Sequence, residues 1–389
     1  MNRKISILVL VIIMFSSLSG LNFAANAPEN LNGVWIATVF NIDYPSTKNN
    51  IEAQKKEFID KLEKLQSAGI NTVVVQVRPK GDALYLSNIN PWSDVLTGTQ
   101  GKDPGYNPMT FMIKESHDRG MLFYAWLNPY RVTTKGTDVT KLSKNHPARI
   151  NPALTISHKD ALYYNPEKEG VKNHIVATVK EIIELYPVDG IVFDDYFYPS
   201  KYPLPEGESR DGAVASMRRK HVNDMVYRVS KVIKDSEKNI VFGISPSGIW
   251  KNKKSDPTGS DTAGYESYYG VYADTRTWIK NEWIDFVSPQ IYWQTGFKVA
   301  DYETLVKWWS NEVKGTSVNL YVSHCLYRDV VAQEIDKQLK INEKYEEVSG
   351  SIYYNMSNLL SDRKGCLSAL KHINEMKSQY SRPSLGGAQ

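Results

Sequence analysis

Two adjacent aspartates follow a short apolar run near the middle of the chain. Residues 190–199 read GIVFDDYFYP, so that three apolar side chains lead directly into Asp194 and Asp195, and aromatic side chains follow. Paired carboxyl groups are the means by which most glycoside hydrolases cleave a glycosidic bond. Solvated charges on a loop after a strand are the plainer interpretation, and the rest of the sequence decides between the two.

Polar and aromatic side chains also follow the other strand-like segments. Such a mixture suits a carbohydrate, because sugars offer apolar ring faces for stacking and hydroxyl groups for hydrogen bonds. The candidate substrate-binding residues are Trp35, Arg78, Trp126, Asn128, Tyr130, Tyr196, Tyr198, Ser245, Gln290, Tyr292, Trp293 and Asn355. Plainer roles stay open: Trp126 and Trp293 could be core residues. Arg78 could be a structural ion-pair partner of the twin aspartates.

Other chemistries find little support in the sequence. The seven histidines show neither an H-x-x-x-H nor an H-x-H spacing, so no metal site is expected. No G-x-G-x-x-G follows the first strand-like segment, and no cofactor is expected. The segment GISPSGI at 243–249 departs from the G-x-S-x-G turn of serine hydrolases, which argues against a nucleophilic serine.

The elements that would position these residues alternate strictly between strand and helix. Short β-branched or aromatic runs predict strands at 33–39, 71–77, 121–127, 189–194, 239–245, 283–289, 318–323 and 350–355. Amphipathic segments predict helices at 51–69, 107–120, 170–186, 211–237, 272–282, 302–313, 330–346 and 361–376. Eight such units favour the α/β class and a single-domain (β/α)8 TIM barrel over 31–376. The long segments 78–106, 127–166 and 246–270 then follow strand carboxyl ends, where barrel active sites lie.

Residues 1–27 have the pattern of a secretory signal peptide. A short basic start precedes an apolar run over 5–15, and Ala25-Asn26-Ala27 fits an A-x-A cleavage site. The apolar run is shorter than the roughly 20 residues that span a bilayer, so cleavage is preferred to an uncleaved anchor. We therefore predict a protein that is secreted or associated with the cell wall, without stable membrane insertion after cleavage.

The charge balance argues against one class of partner. The formal net charge of +4 falls to +2 without the two basic residues of the signal segment. No block of like charge stands out, so nucleic acid is not an expected partner. Cys325 and Cys366 could pair in an exported protein, although two cysteines fit no dense disulfide scaffold. The last residues, 377–389, are expected to form a flexible tail.

Six ordered motifs resemble one known family. They are LNGVWIATVFNIDYPS, AGINTVVVQVRPKGDALY, WLNPYR, VDGIVFDDYFYP, GISPSGIW and DFVSPQIYW, and the likeness covers about residues 31–376. On these motifs the chain resembles the glycosyl hydrolase-like 10 family, whose best understood type is a peptidoglycan glycosidase. The resemblance implies a (β/α)8 barrel, export from a bacterial cell, and hydrolysis of cell-wall glycan strands stripped of their stem peptides.

The fourth strand is also similar to the D-G-x-D-x-D-x-E signature of chitinase-like barrels. Asp189 and Gly190 match it, and Asp194 falls on its last aspartate. However, Val192 replaces the middle aspartate, and Tyr196 stands where the catalytic glutamate would be. The chitinase mechanism, in which the acetamido group of the substrate attacks, therefore cannot be carried over.

Strand geometry assigns the twin aspartates to two roles rather than to one pair. Successive strand residues point to opposite faces, so a strand that stays regular through Asp195 cannot turn both carboxylates toward the barrel axis. The chitinase-like register turns Asp194 inward, while Asp195 reaches the substrate from the last turn of the strand. One of them is expected to be a general acid whose pKa is raised by its neighbour. The partner carboxylate should come from another strand end, with Asp82 preferred to Asp43 and Asp274.

A second class of function stays open. The same polar and aromatic face could belong to a non-catalytic barrel that binds carbohydrate in the cell wall. The paired acids favour the enzyme, namely an exported glycoside hydrolase that acts on peptidoglycan-type glycan.

Overall fold

A closed barrel of eight parallel strands forms the centre of the molecule. The computed structural model describes residues 27–380, with side chains as far as residue 374. The barrel strands are β1 (Leu31–Ile36), β2 (Thr72–Arg78), β3 (Leu122–Leu127), β6 (Gly190–Phe193), β7 (Val241–Ile244), β8 (Phe286–Val287), β9 (Asn319–Cys325) and β10 (Val348–Tyr354). They pair in this order, and β10 returns to β1. The predicted (β/α)8 barrel is thereby confirmed.

Helices lie between successive barrel strands. The longer ones are α1 (Ile51–Ser67), α3 (Pro108–His117), α5 (Glu169–Leu185), α6 (Ala213–Lys234), α8 (Thr275–Lys280), α9 (Tyr302–Val313), α11 (Ile335–Asn342) and α13 (Cys366–Tyr380). Short helices are α2 (Asp94–Thr97), α4 (Pro147–Ile150), α7 (Ser267–Gly270), α10 (Asp329–Ala332) and α12 (Met356–Leu360). Among the described residues, the predicted helix at 330–346 is thus divided between α10 and α11.

Local sequence explains where the first elements begin. All seven residues of β2, TVVVQVR, are buried, because this strand has the barrel interior on one face and helices on the other. Helix α1 begins after Asn50, whose side chain accepts a hydrogen bond from the Ala53 amide and so satisfies a free donor of the first turn. Asn107 caps α3 in the same way, with Pro108 at its first position.

Large aromatic side chains fill the barrel interior. One buried cluster contains Trp35, Tyr124, Trp126, Phe286 and Tyr321 together with smaller apolar side chains. The rings need space, and β7 provides it with a glycine, Gly243. A β-carbon at that position would stand 2.0 Å from the Phe286 ring. The barrel interior is therefore a packed core and not a pore.

Strand β6 follows the alternation that was predicted. Val192 lies in the interior cluster, while Ile191 and Phe193 pack outward against the helix layer. The next inward position belongs to Asp194. The inward register that we expected for this residue is therefore the one the strand adopts.

An antiparallel hairpin stands outside the barrel. Its strands are β4 (Thr155–His158) and β5 (Ala161–Tyr164), and they lie in the long segment after β3. The sequence analysis placed an insertion there but did not predict strands. Arg131, which follows β3, forms an isolated bridge with Tyr163 and so ties the start of this segment to the hairpin.

The predicted ends of the chain fall largely outside the described residues. The signal segment lies there except for Ala27, and so do residues 381–389. Helix α13 continues to Tyr380, so the first four residues of the predicted tail are helical instead. Within residues 27–380, none of the helices is both long and apolar enough to cross a membrane.

Candidate active site

A cavity of about 470 Å³ opens where the barrel strands end at their carboxyl side. Active sites of (β/α)8 barrels lie at this face. Nine of the predicted site residues line the cavity, namely Trp35, Trp126, Asp194, Asp195, Tyr196, Ser245, Gln290, Tyr292 and Asn355. Most of the cavity wall therefore consists of residues that were predicted from their positions at strand ends.

Asp194 is held by hydrogen bonds on both carboxylate oxygens. Its Oδ2 accepts from Trp126 Nε1 at 2.9 Å and from Asn128 Nδ2 at 3.0 Å. Its Oδ1 accepts from Asn128 Nδ2 at 3.2 Å and from the Tyr196 amide at 3.2 Å. The side chain is buried, and so many donors fix both its position and its orientation.

Asp195 is less constrained. Its Oδ1 accepts from Gln290 Nε2 at 3.2 Å, whereas Oδ2 has no hydrogen-bond partner among the described residues. Strand β6 ends at Phe193, so the regular alternation on which we based separate roles does not extend to Asp195. Both carboxyl groups line one cavity, with Asp194 at the end of the strand and Asp195 just beyond it.

Burial dominates the protonation of this pair. It raises the pKa of Asp194 to about 7, against the opposing effects of the Arg131 charge and the Trp126 hydrogen bond, with the Asp195 charge adding to the rise. Burial also raises the pKa of Asp195, and the Gln290 hydrogen bond opposes that rise. The like charge of Asp195, which was the predicted cause, is thus a smaller one than burial in raising the pKa of Asp194. The pair therefore holds a proton close to neutral pH.

Aromatic side chains make the walls of the cavity. Trp35 meets Trp126 edge to face, with ring centroids 5.1 Å apart. On the other side Tyr292 stacks on Tyr354 at 5.9 Å, and Tyr327 stands edge-on to both. Such rings provide the flat apolar surfaces on which a sugar ring stacks.

The amide and hydroxyl groups of the cavity are tied to the protein frame. Ser245 Oγ donates to the Ser288 carbonyl at 2.7 Å, so its hydroxyl proton is already committed. Gln290 Nε2 bridges Asp195 and the Ser245 carbonyl. Asn355 Oδ1 accepts from the Asn358 amide at 3.3 Å and caps α12.

Five predicted binding residues do not line the cavity: Arg78, Asn128, Tyr130, Tyr198 and Trp293. Each is displaced from the cavity for a reason of packing. Tyr130 and Tyr198 are buried in the helix layer, and Trp293 packs against the same layer. Asn128 lies beneath Asp194 and reaches the cavity only through that carboxylate.

Arg78 has neither of the two roles considered for it. It is buried, and its Nη1 donates to the carbonyls of Asn128 and Pro129 at 2.6 and 3.3 Å. Its Nη2 lies 3.2 Å from His174 Nε2. It makes no ion pair with Asp194 or Asp195, and it supports the turn after β3 instead.

The structure does not bring the predicted partner carboxylate to this cavity. Asp82 is fully buried elsewhere, where its Oδ2 lies 3.4 Å from Lys80 Nζ and 3.2 Å from Gln100 Nε2. Asp43 accepts from the amides of Ala37 and Ser357, and Asp274 bonds to Thr277. Among the described residues, only Asp194 and Asp195 contribute carboxyl groups to the cavity lining.

The candidate list omitted four lining residues: Ile42, Tyr327, Tyr354 and Asn358. Tyr354 is the last residue of β10, directly before Asn355, so the strand-end signal was present. Tyr327 also follows a strand end, that of β9. Ile42 lies in the bend after β1 and Asn358 in the short helix α12 after β10, and the pattern of the sequence did not reveal how these segments fold.

A fixed carboxylate beside a less constrained carboxyl group can supply both the proton and the charge stabilisation that cleavage of a glycosidic bond requires. Together with the (β/α)8 barrel and the aromatic cavity walls, the pair defines the protein as a glycoside hydrolase. The chain belongs to the family described as glycosyl hydrolase-like 10, which matches residues 30–341. The family resemblance seen in the sequence is thereby confirmed.

Similar proteins carry the same class of name. The chain is 40% identical to glycosyl hydrolase YngK of Bacillus subtilis (strain 168), over 93% of this chain and 74% of YngK. It is 38% identical to glycosyl hydrolase DigH of Escherichia coli (strain K12), over 84% of this chain and 83% of DigH. Both relatives align with most of the chain.

Two solved structures share the fold at low sequence identity. The PgaB (BpsB) glycoside hydrolase domain of Bordetella bronchiseptica has a TM-score of 0.56 at 13% identity, over 89% of this chain and 99% of that domain. Alpha-L-fucosidase isoenzyme 2 of Paenibacillus thiaminolyticus has a TM-score of 0.58 at 12% identity. That match spans 90% of this chain and half of the fucosidase chain.

Proposed function

We propose that the protein is an exported glycosidase that cleaves cell-wall glycan, specifically peptidoglycan strands that lack stem peptides. The observation that carries the proposal is the position of Asp194 and Asp195 in one aromatic-walled cavity at the carboxyl face of the barrel. A stem peptide is bulky and branches from the strand, whereas a bare strand is a chain of sugar rings that such a cavity can hold one ring at a time.

The pKa of Asp194 suggests which carboxyl group does what. Burial raises this pKa to about 7 despite the hydrogen bonds that favour the charged form, so the shared proton belongs on Asp194 near neutral pH. Asp194 would protonate the glycosidic oxygen as the bond to the anomeric carbon breaks. The Asp195 carboxylate would stabilise the positive charge that develops on the sugar. Water then adds to the anomeric carbon and returns a proton to the carboxylate pair.

The aromatic walls support a glycan substrate. Tyr196 is 46% exposed and Tyr327 is 44% exposed, although large aromatic side chains are usually buried. Both line the cavity, and both would lose exposed apolar surface when a sugar ring covers them. The pattern of residues 1–27 supports export, which would bring the protein to the wall.

The proposal is tested with Asp194→Asn and Asp195→Asn on purified peptide-free glycan strands. Each substitution preserves the shape of the side chain and removes its acid function. Release of reducing ends is expected to fall by about 10²-fold or more, as for other general acid–base groups. Asp60→Asn is the matched control, because Asp60 lies on the surface of α1 and pairs with Lys56.

Mass analysis of the wild-type products identifies the bond that is cut. A wild-type protein that pellets with cell wall but releases no fragments, and whose Asn variants bind equally well, would instead establish the non-catalytic binding barrel. Cleavage of strands that still carry stem peptides at the same rate as bare strands would contradict the proposed specificity.

A further inference from the structure

An arginine stands beside the two catalytic carboxyl groups without a carboxylate of its own. Arg131 follows β3, and its guanidinium lies 4.3 Å from the ring centroid of Tyr196, which lines the cavity. Its charge is close enough to oppose the burial-driven rise in the pKa of Asp194 and of Asp195. Arg131 itself is not among the lining residues, but its cation lies against Tyr196, a residue of the cavity wall.

The other contacts of Arg131 leave most of its donors unused. Its Nη1 donates to the Pro79 carbonyl at 3.3 Å, and its backbone amide donates to Asn128 Oδ1 at 2.9 Å. Its Nε and Nη2 make no hydrogen bond to the described residues, and no carboxylate among them forms an ion pair with it. The stacking on Tyr196 and the hydrogen bond to the Pro79 carbonyl hold the guanidinium in place, so little side-chain freedom remains to be lost when a ligand binds.

A second stacked arginine, Arg210, provides a comparison. Arg210 stacks on Tyr269 at 4.0 Å in the same manner, but it also pairs with Glu266 at 3.1 Å. In Arg210 the protein itself supplies the anion. For Arg131 no carboxylate of the described residues takes the equivalent place, and the ring on which it stacks belongs to the cavity wall.

We propose that Arg131 determines specificity by binding a carboxylate on the sugar next to the scissile bond. Resting on the proposed function, that carboxylate is the lactyl group of an N-acetylmuramic acid residue. It is a free acid only where the stem peptide has been removed, because the peptide is joined to it through an amide. The planar guanidinium matches a carboxylate with two parallel hydrogen bonds, and it offsets the repulsion between that anion and the aspartate pair.

The stem peptide would weaken binding in two ways. It converts the carboxylate into a neutral amide, which loses the charge-assisted hydrogen bonds. It also adds bulk at the rim where Tyr196 and Arg131 are stacked. A single contact thus accounts for a preference for bare strands without any second binding module.

The test compares two glycan strands that differ only in charge. One is peptide-free glycan with its lactyl carboxylates free, and the other is the same material with those carboxylates converted to methyl amides. Wild-type protein is expected to cleave the free acid with a kcat/KM about tenfold higher. Arg131→Gln is expected to cleave both strands at the lower rate, and Arg131→Lys to restore part of the preference. Arg210→Gln is the matched control and should keep the wild-type ratio.

Two kinetic results would overturn the inference while leaving the glycosidase intact. In one, wild-type protein cleaves both strands equally well. In the other, Arg131→Gln lowers both rates by the same factor and keeps the ratio, which would make Arg131 a counter-ion of the aspartates only.

A binding measurement separates this inference from the proposed function. If wild-type protein cleaves neither strand, peptidoglycan hydrolysis is wrong, and the affinities are compared by fluorescence of the cavity tryptophans. Tighter binding of the free acid that is lost in Arg131→Gln would retain the carboxylate site. Equal or absent binding of the two strands would exclude it.

Discussion

The indole Nε1 of Trp126 donates a hydrogen bond to Asp194 Oδ2 at 2.9 Å, and the two residues come from neighbouring strands β3 and β6. The same indole forms part of the cavity wall, where it meets Trp35. One side chain therefore both shapes the sugar site and stabilises the charged form of the buried carboxylate. This double role makes Trp126 a sensitive place to test the site.

Trp126→Phe should retain an aromatic wall but lose the donor to Asp194. Because that hydrogen bond opposes the rise in the pKa of Asp194, its loss raises the pKa further. The alkaline limb of the pH–rate profile should move to higher pH, and kcat should fall by about tenfold or more as the carboxylate loses orientation. The pH dependence of kcat and of kcat/KM on glycan strands measures both effects.

Trp35→Phe is the matched control for this substitution. Trp35 lines the same cavity, but its Nε1 donates to Ser323 Oγ at 3.1 Å instead of to an aspartate. It should change KM while leaving the alkaline limb in place. If the alkaline limb moves equally in both variants, the pKa of Asp194 depends on the aromatic cavity wall and not on the Trp126 hydrogen bond.

Arg78→Met should destabilise the fold rather than weaken substrate binding. The substitution leaves the carbonyls of Asn128 and Pro129 without their buried donor, which costs about 1–3 kcal/mol of unfolding free energy. It also loosens the turn from which Asn128 holds Asp194, so kcat should fall with little change in KM. Thermal unfolding and steady-state kinetics report the two effects separately.

Arg149→Met is a suitable comparison, because Arg149 also donates to a backbone carbonyl, that of Leu142, but lies half-buried outside the cavity. Arg149→Met should lower the free energy of unfolding by less than Arg78→Met does, and it should leave kcat unchanged. A raised KM in Arg78→Met with unaltered stability would restore the substrate contact that the sequence suggested.

Asp82→Asn should leave catalysis almost unchanged. Asp82 does not line the cavity, and its contacts are with Lys80 and Gln100. Lys80 keeps a second partner, Asp94, at 2.6 Å, so the stability loss should stay near about 1–2 kcal/mol. A fall in kcat as large as that of Asp195→Asn, at unchanged stability, would return Asp82 to the catalytic site.

The fold followed from the sequence because each barrel strand is a short buried run between helices. Even β8, which has only two residues, lies within the predicted strand at 283–289. The alternation within β6 also placed Asp194 inward. Both features depend on local pattern, which a single sequence contains.

The site was less predictable where it depends on how loops fold. Asp195 reaches the cavity because β6 stops at Phe193, and the Tyr196 amide turns back to Asp194. Arg78 was predicted to contact substrate or to pair with the twin aspartates, yet the turn after β3 folds over it and uses its donors. Neither outcome has a signal in residue type or spacing, since both depend on backbone hydrogen bonds formed only in the folded state.

Activity should fall as the pH rises through about 7. Burial raises the pKa of Asp194 to about 7, so the aspartate pair loses its shared proton in that range and with it the general acid. Below neutral pH the proton is retained and activity should persist. A rate profile on peptide-free glycan between pH 5 and 9 measures this, and a constant rate across neutrality would contradict it.

The same titration should be visible in stability without any substrate. The pKa of Asp194 is higher in the folded state than in the unfolded state. Its contribution to the free energy of unfolding is therefore fully present below about pH 4 and is lost as the pH rises to 7 and beyond. Asp194→Asn has no charge to lose, and its unfolding temperature relative to wild type should therefore rise between pH 5 and 8. The difference in unfolding temperature between the variant and wild type is the quantity to compare. Burial lowers the pKa of His324 to about 4, which gives both proteins the same opposite dependence of stability on pH. A difference that stays constant over this range would show that Asp194 is already ionised at pH 5.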